Sequence, residues 1–271
     1  MLKLFVKSGI DYKVRNSNRQ TLLHLVITGD DEMRWKYNVQ KTVQEMIEII
    51  DYLINLGFDV NAVDKSGNTI MHYLSRKEYG NEIIEKIIKG GAKINVSRHD
   101  GMTPLLIACA NGRLDLIKLL VNNGADMTAR FSKGFNCFLK AIGQSNLDMV
   151  KFFRPHFDIN SSAYNGEGPF HISFMFDNIE LFDYLLNEGA DINRLDNNGI
   201  HPLIEITRFH KERTPNLETI LLKYYSKDEN YNFRNENGQL LHEILESIGR
   251  FELASIFRSV RASTKYQLSR A

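Results

Sequence analysis

Cysteine and proline are both scarce in this chain: two cysteines, Cys109 and Cys137, and five prolines in 271 residues. The cysteines lie 28 positions apart with no Cys-x-x-Cys spacing, which leaves neither a disulfide framework nor a thiolate metal site. Buried reduced thiols are the simpler reading, and they fit a cytoplasmic compartment. Long apolar runs are also missing. None approaches the ~18 residues of a membrane helix, and the opening Met1-Leu2-Lys3-Leu4-Phe5-Val6 carries too short an apolar run for a signal peptide. Charge of either sign is not in excess. Thirty-four Lys and Arg against 33 Asp and Glu leave a net +1, without the footprint of a nucleic-acid binder or a polybasic membrane tether. What is present, 43% hydrophobic and 25% charged residues, is the composition of a folded rather than a disordered chain.

The dominant positive feature is a recurring tetrapeptide. It reads Thr21-Leu22-Leu23-His24, Thr69-Ile70-Met71-His72 and Thr103-Pro104-Leu105-Leu106. It then weakens to Asn136-Cys137-Phe138-Leu139, Gly168-Pro169-Phe170-His171, His201-Pro202-Leu203-Ile204 and Gln239-Leu240-Leu241-His242. Successive copies start 48, 34, 33, 32, 33 and 38 residues apart. A period near 33 marks a stack of supersecondary units, each contacting mainly its neighbours.

A second landmark follows each copy, clearest as Leu185-Leu186-Asn187-Glu188-Gly189-Ala190-Asp191-Ile192-Asn193. Between the two lies an amphipathic run such as Leu114-Asp115-Leu116-Ile117-Lys118-Leu119-Leu120, whose spacing gives a broad helical face. The unit is therefore turn, short helix, tight connection, longer helix and Gly-terminated loop. Thr at the start of the tetrapeptide suits a helix N-cap, and Pro after it suits the first turn. Gly112 and Gly124 suit the positive φ that ends a helix, and Asp64-Lys65-Ser66-Gly67 is turn chemistry. Truncating Leu119 or Leu185 is expected to cost ~2–5 kcal/mol, as for buried leucines generally.

Together these residues resemble the ankyrin repeat family, whose pattern the third copy, Gly101-Met102-Thr103-Pro104-Leu105-Leu106-Ile107-Ala108-Cys109-Ala110-Asn111-Gly112, carries well. The resemblance covers essentially the whole chain. It implies an all-α ankyrin-repeat solenoid of stacked antiparallel helix pairs with β-hairpin-like loops, about seven repeats plus a partial N-terminal one. We expect a single array: a partial repeat at 1–14, a long one at 15–61, then 62–95, 96–128, 129–160, 161–193, 194–232, and a last repeat with tail at 233–271. The family also implies that His24, His72, His171 and His242 are structural, each ring bonding the backbone of neighbouring loops.

Departures from the pattern stand out. Phe152-Phe153-Arg154-Pro155-His156-Phe157-Asp158 lacks the loop glycine, so the stack is expected to bend or loosen there. Insertions fall near 30–42, around the lone Trp35, and near His210 to Asn216. The first repeat lacks its first helix, which points to a fragment of a longer protein or to capping by other means. The tail from Arg258 to Ala271 reads as a cap or the start of a linker.

Candidate chemistry is thin. Copies of the repeat histidine lie a repeat apart, too far to share a metal. Asn165-Gly166-Glu167-Gly168-Pro169 lacks the GxxxxGK[ST] pattern of a phosphate loop and is read as a turn. The Gly-Ala-Asp aspartates and the loop asparagines Asn61, Asn95, Asn160 and Asn193 are read as ordering their loops; in the family such asparagines can also be hydroxylation targets. No catalytic constellation, metal site or cofactor is expected, and no enzyme activity.

Binding is the expected role. In the family, partners meet the loop tips and the exposed side of the first helices. By register that strip includes His99 and Met102, then Lys133 and Phe135, then Tyr164, Glu167, Met175 and Phe176, and then Ile200, Arg208 and Phe209. Aromatics, Met and Arg are enriched in interface hot spots, and Phe135 and Tyr164 are expected to be exposed. The function expected is a protein–protein interaction scaffold, a cytoplasmic monomer whose partner is another protein, with no nucleic acid and no membrane. The alternative is the targeting segment of a larger enzyme or of a pathogen effector in host cytosol.

Overall fold

A computed structural model of the chain describes residues 14–28, 42–76, 80–174, 178–204, 219–220, 223, 234–235, 237–247 and 249–268. The partial first repeat, Trp35, the sixth-repeat insertion, Met175, Phe176, Arg208 and Phe209 lie outside the described residues. Those described form twelve α-helices and no strand. The chain divides into two compact units, residues 1–132 and 133–271.

The first unit holds three helix pairs: α1 (Leu22–Thr28) with α2 (Val43–Asn55), α3 (Ile70–Arg76) with α4 (Asn81–Lys89), and α5 (Pro104–Ala110) with α6 (Leu114–Asn122). First helices pack in a row, α1 on α3 and α3 on α5, while α2 packs on α4. This is the nearest-neighbour architecture that the period predicts. Its core is aliphatic, built from Leu23, Ile27, Ile50, Leu53, Ile70, Leu74, Ile83, Ile87, Leu105, Ile117 and Leu120. Leu119 is only half-buried and its neighbour Leu120 takes the core position. The expectation of a fully buried leucine therefore fails at 119 and holds at Leu185.

The second unit contains α7 (Cys137–Ile142), α8 (Leu147–Phe153), α9 (Pro169–Ser173), α10 (Ile179–Asn187), α11 (Leu241–Ser247) and α12 (Phe251–Leu268). The pairs are α7/α8, α9/α10 and α11/α12, with α7 packed on α9. The sixth copy opens as a 3-10 turn, Pro202–Ile204, that touches both α9 and α11. Here the core is aromatic. The Phe170 and Phe182 ring centroids lie 5.2 Å apart and those of Phe174 and Phe182 5.8 Å.

At the departure after α8, a 3-10 turn, Arg154–His156, replaces the glycine loop. Phe157 then stacks on Phe138 at 6.2 Å and meets Phe153 edge-on at 5.9 Å, while Arg154 Nη1 donates to the Phe157 carbonyl. Instead of loosening, this segment substitutes aromatic packing for the usual loop. The C-terminal tail continues α12 as helix through Leu268.

Capping follows the local chemistry, with one refinement. Thr103 Oγ1 accepts from the Leu106 amide at 3.3 Å, and Asn136 Oδ1 accepts from Leu139 at 2.8 Å. In three of the copies that carry the histidine, its ring takes over. Nδ1 of His24, His72 and His171 accepts the amides of Thr21, Thr69 and Gly168. An Nδ1 that accepts from an amide must be unprotonated, so Nε2–H donates, to the carbonyls of Asn68, Met102 and Ile200. Each ring thus ties its own helix to the next repeat.

Candidate functional site

The loop tips are built by two short-range devices. Within four of the tips an Asp or Asn side-chain oxygen accepts amides two and four residues on: Asn16 from Asn18 and Gln20, Asp64 from Ser66 and Asn68, Asp196 from Asn198 and Ile200, and Asn235 from Asn237 and Gln239. Such Asx turns fix the tip without help from distant chain. Between tips, main-chain bonds join neighbours. The amides of Lys65, His99, Tyr164 and Asn197 donate to the carbonyls of Asn18, Ser66, Lys133 and Asn165. Three tip glycines, Gly67, Gly134 and Gly166, sit beneath the next tip. A Cβ on Gly134 would lie 2.4 Å from the Tyr164 ring, and one on Gly166 would lie 2.4 Å from the Asn197 side chain. Gly is thus required there both by φ and by close approach.

A parallel ladder runs along the opposite loops. Asn61 donates to the Gly91 carbonyl and accepts from the Lys93 amide; Asn95 does the same with Gly124 and Asp126. Asn160 accepts from Asp191. Asp59, Asp126, Asp158 and Asp191 each accept an amide two residues on. These asparagines and aspartates order their loops, as the sequence suggests.

With the backbone so engaged, side chains at the tips are what remains for a partner. In the first unit His99 is exposed and Met102 half-buried, its carbonyl occupied by His72. In the second unit Lys133 is exposed and Tyr164 stands 67% exposed over Gly134. Asn197 Nδ2 donates to the Tyr164 carbonyl at 2.9 Å, which brings Lys133, Tyr164 and Asn197 together. Phe135, Glu167 and Ile200 are half-buried. The apolar strip is therefore less exposed than its residue types suggest, because Phe135 and Ile200 turn partly inward; only Tyr164 of the described aromatics in it is fully presented. Met175, Phe176, Arg208 and Phe209 lie outside the described residues.

The first unit also contains a polar cleft of about 620 Å³, lined by residues of three successive tips and by Tyr73 and Arg76 of α3. At its floor Tyr73 donates to Asp64 Oδ2 at 2.5 Å, and Gln20 Nε2 donates to the Tyr73 hydroxyl at 3.1 Å. Burial alone would raise the Asp64 carboxyl. The bonds from Tyr73, Asn68 and the Asn68 and Ser66 amides outweigh it and hold Asp64 below the usual carboxylate range. Burial and the Asp64 bond push the Tyr73 phenol up. Arg98 grips Asp100 bidentately at 2.6 Å and lowers that carboxyl in turn. The strip positions taken for the third to sixth repeats, carried one repeat back, fall on Lys65, Ser66, Asn68 and Arg76. The strip expected from sequence was not extended to this repeat, and that register is the signal that could have found the cleft.

Among the described residues no His, Cys, Asp and Glu group fits a metal ion, and no helix is long and apolar enough to cross a membrane. His24, His72 and His171 are pushed below their usual range by burial, against the backbone bonds that favour the charged form. His201 goes further, to about 3, through burial with a smaller push from His171. It stands where three other copies have Thr. Its Nδ1 caps the turn by accepting from Leu203, and its Nε2 meets Asn193 Oδ1. His242 differs from the other repeat histidines: its Nδ1 is buried with no hydrogen-bond partner among the described residues, so the expected bond to a neighbouring loop is not made through that atom.

Helix pairs stacked at this period, tips stitched edge to edge and histidines bridging repeats define an ankyrin-repeat stack. The chain contains ankyrin repeats: residues 39–131 match the family model described as ankyrin repeats (3 copies), and residues 165–197 match that of the single ankyrin repeat. It is 30% identical over 147 residues to the transient receptor potential cation channel subfamily A member 1 of Drosophila melanogaster, covering 54% of this chain and 10% of the channel. An ankyrin repeat protein of Variola virus is 30% identical over 192 residues, 70% of this chain and 32% of its own length. The chain thus spans a third or less of these relatives. The crystal structure of the ankyrin repeat domain of Bcl-3 superposes with a TM-score of 0.61 at 22% identity, covering 81% of this chain and 90% of that one. Ankyrin repeats are general protein–protein interaction modules.

Proposed function

We propose that this chain is a scaffold or adaptor that binds another protein through its loop tips and the exposed side of its first helices, as a cytoplasmic monomer without catalytic activity. The observation that carries the reading is the tip stitching. Main-chain groups of successive tips are engaged with one another, so side chains such as Tyr164, Lys133 and His99 are presented on a fixed backbone. Rigid presentation of an aromatic lowers the ordering cost of association. Tyr164 has the residue type and exposure of a hot spot.

Affinity capture with wild type and Tyr164→Ala tests this. Tyr164→Ala is expected to weaken capture about tenfold or more, with the melting temperature nearly unchanged because the ring is largely exposed. Equal capture by both proteins, or a matching loss of stability, would sink the reading. A second reading, a targeting segment within a larger protein, draws on the small share of the channel that the match covers; the extent of the reading frame decides it.

A further inference from the structure

We infer that the polar cleft of the first unit is a receptor for an acidic peptide segment, read through carboxylate side chains by Arg76 and Lys65. This rests on the protein-binding reading above and names the chemistry of one partner contact.

The cleft offers positive charge that its own residues do not neutralise. It contains two carboxylates, and both are engaged. Asp64 is buried and accepts from Tyr73, the Asn68 side chain and the amides of Ser66 and Asn68. Asp100 is held bidentately by Arg98. Lys65 and Arg76 line the same cleft, are exposed, and have no ion pair or side-chain hydrogen bond among the described residues. A carboxylate arriving there would meet free donors, whereas an arriving ammonium or guanidinium would find every carboxylate already taken.

Shape and polarity favour an extended segment over a small anion. The volume, about 620 Å³, lies in the range of sites that enclose a ligand of several groups. The Asn18 side-chain amide and the Ser66 hydroxyl also line it with no partner among the described residues, matching the alternating donors and acceptors of a peptide backbone. Apolar lining is sparse, so affinity and specificity come from charge and hydrogen bonds. The floor of Gln20, Tyr73, Asp64 and Asn68 is closed on itself and does not need to rearrange. Association with such a site depends on ionic strength and is steered by its charge.

The test uses the full chain and a pool of fluorescein-labelled dodecapeptides with Glu at alternate positions. Matched pools carry Gln or phosphoserine at those positions, and a labelled single-stranded oligonucleotide serves as a further probe. Anisotropy should report saturable binding of the Glu pool that weakens at least tenfold in Lys65→Gln/Arg76→Gln and falls steeply with salt. Both residues are exposed, so the variant's melting temperature should match wild type and certify its fold. Equal binding of the Gln pool, an unchanged response in the double variant, or no binding of the Glu pool overturns the inference. So does preference for phosphoserine or the oligonucleotide over Glu, which would make the cleft a phosphate site. Tyr164→Ala separates the two levels. If that variant still loses its captured partner while the Glu pool fails, only the cleft assignment falls. If capture survives in Tyr164→Ala, the protein-binding reading falls, whatever the Glu pool does.

Discussion

Gly134 and Gly101 occupy the same place in their tips and both have positive φ, +83° and +82°, yet they answer to different demands. Above Gly134 lies Tyr164, so close that an added Cβ would meet the ring at 2.4 Å and the Tyr164 amide at 2.6 Å. Around Gly101 nothing lies within 4 Å of where that Cβ would be. Gly101→Ala is expected to cost only the left-handed backbone strain, ~1–2 kcal/mol. Gly134→Ala adds overpacking of ~1–3 kcal/mol and pushes Tyr164 off its seat. Urea denaturation of the two variants side by side checks this; equal midpoints would mean that the tips are not packed as described. The glycines themselves were legible in sequence as turn residues. The second constraint was not, because it depends on a residue some 30 positions away. The same limit applied to Phe135, whose place at a tip suggested exposure while neighbouring packing turned it partly inward.

At the level of the helix, the repeat period set the register to within a residue, and a residue is what separates Leu119 from Leu120. Both are apolar, both lie on the broad face of α6, and periodicity alone does not rank them. Packing does: Leu120 is fully buried and Leu119 half-buried. Leu185 of α10 is fully buried beside the phenylalanine cluster. Leu185→Ala should therefore cost ~2–5 kcal/mol, and Leu119→Ala less, ~1–2 kcal/mol, since part of its transfer gain is never realised. Comparing denaturation midpoints at unchanged m-value tests the ranking; a larger loss at 119 would shift the register of α6 by one position. Sequence also missed how an element can be replaced. The absent loop glycine after α8 reads as a defect in the pattern, whereas Phe157 fills its place by stacking on Phe138 and meeting Phe153 edge-on. Substituting one kind of packing for another leaves no periodic trace.

Across the chain, one residue type recurs as a fastener between repeats and makes stability depend on pH. His24, His72, His171 and His201 are buried, and each has its pKa lowered, chiefly by burial. Each ring also uses Nδ1 as an acceptor for a backbone amide, a role that protonation abolishes. The unfolded chain, with histidines near their ordinary value of about 6.5, takes up protons at a pH where the folded chain does not. Stability is then complete above that value and declines as pH falls toward each folded value. For His201, with a folded value of about 3, the decline continues over most of that window, at about 1.4 kcal/mol per pH unit once the unfolded histidine is charged. Urea midpoints measured at pH 7.5, 6, 5 and 4 should fall monotonically below pH 6.5. His201→Thr, which restores the residue the repeat uses as a cap, should flatten the curve for the unit of residues 133–271 without altering the histidines of the other unit. A midpoint that is level down to pH 5, or a His201→Thr curve parallel to wild type, would mean that these rings accept protons in place and do not fasten the repeats through Nδ1.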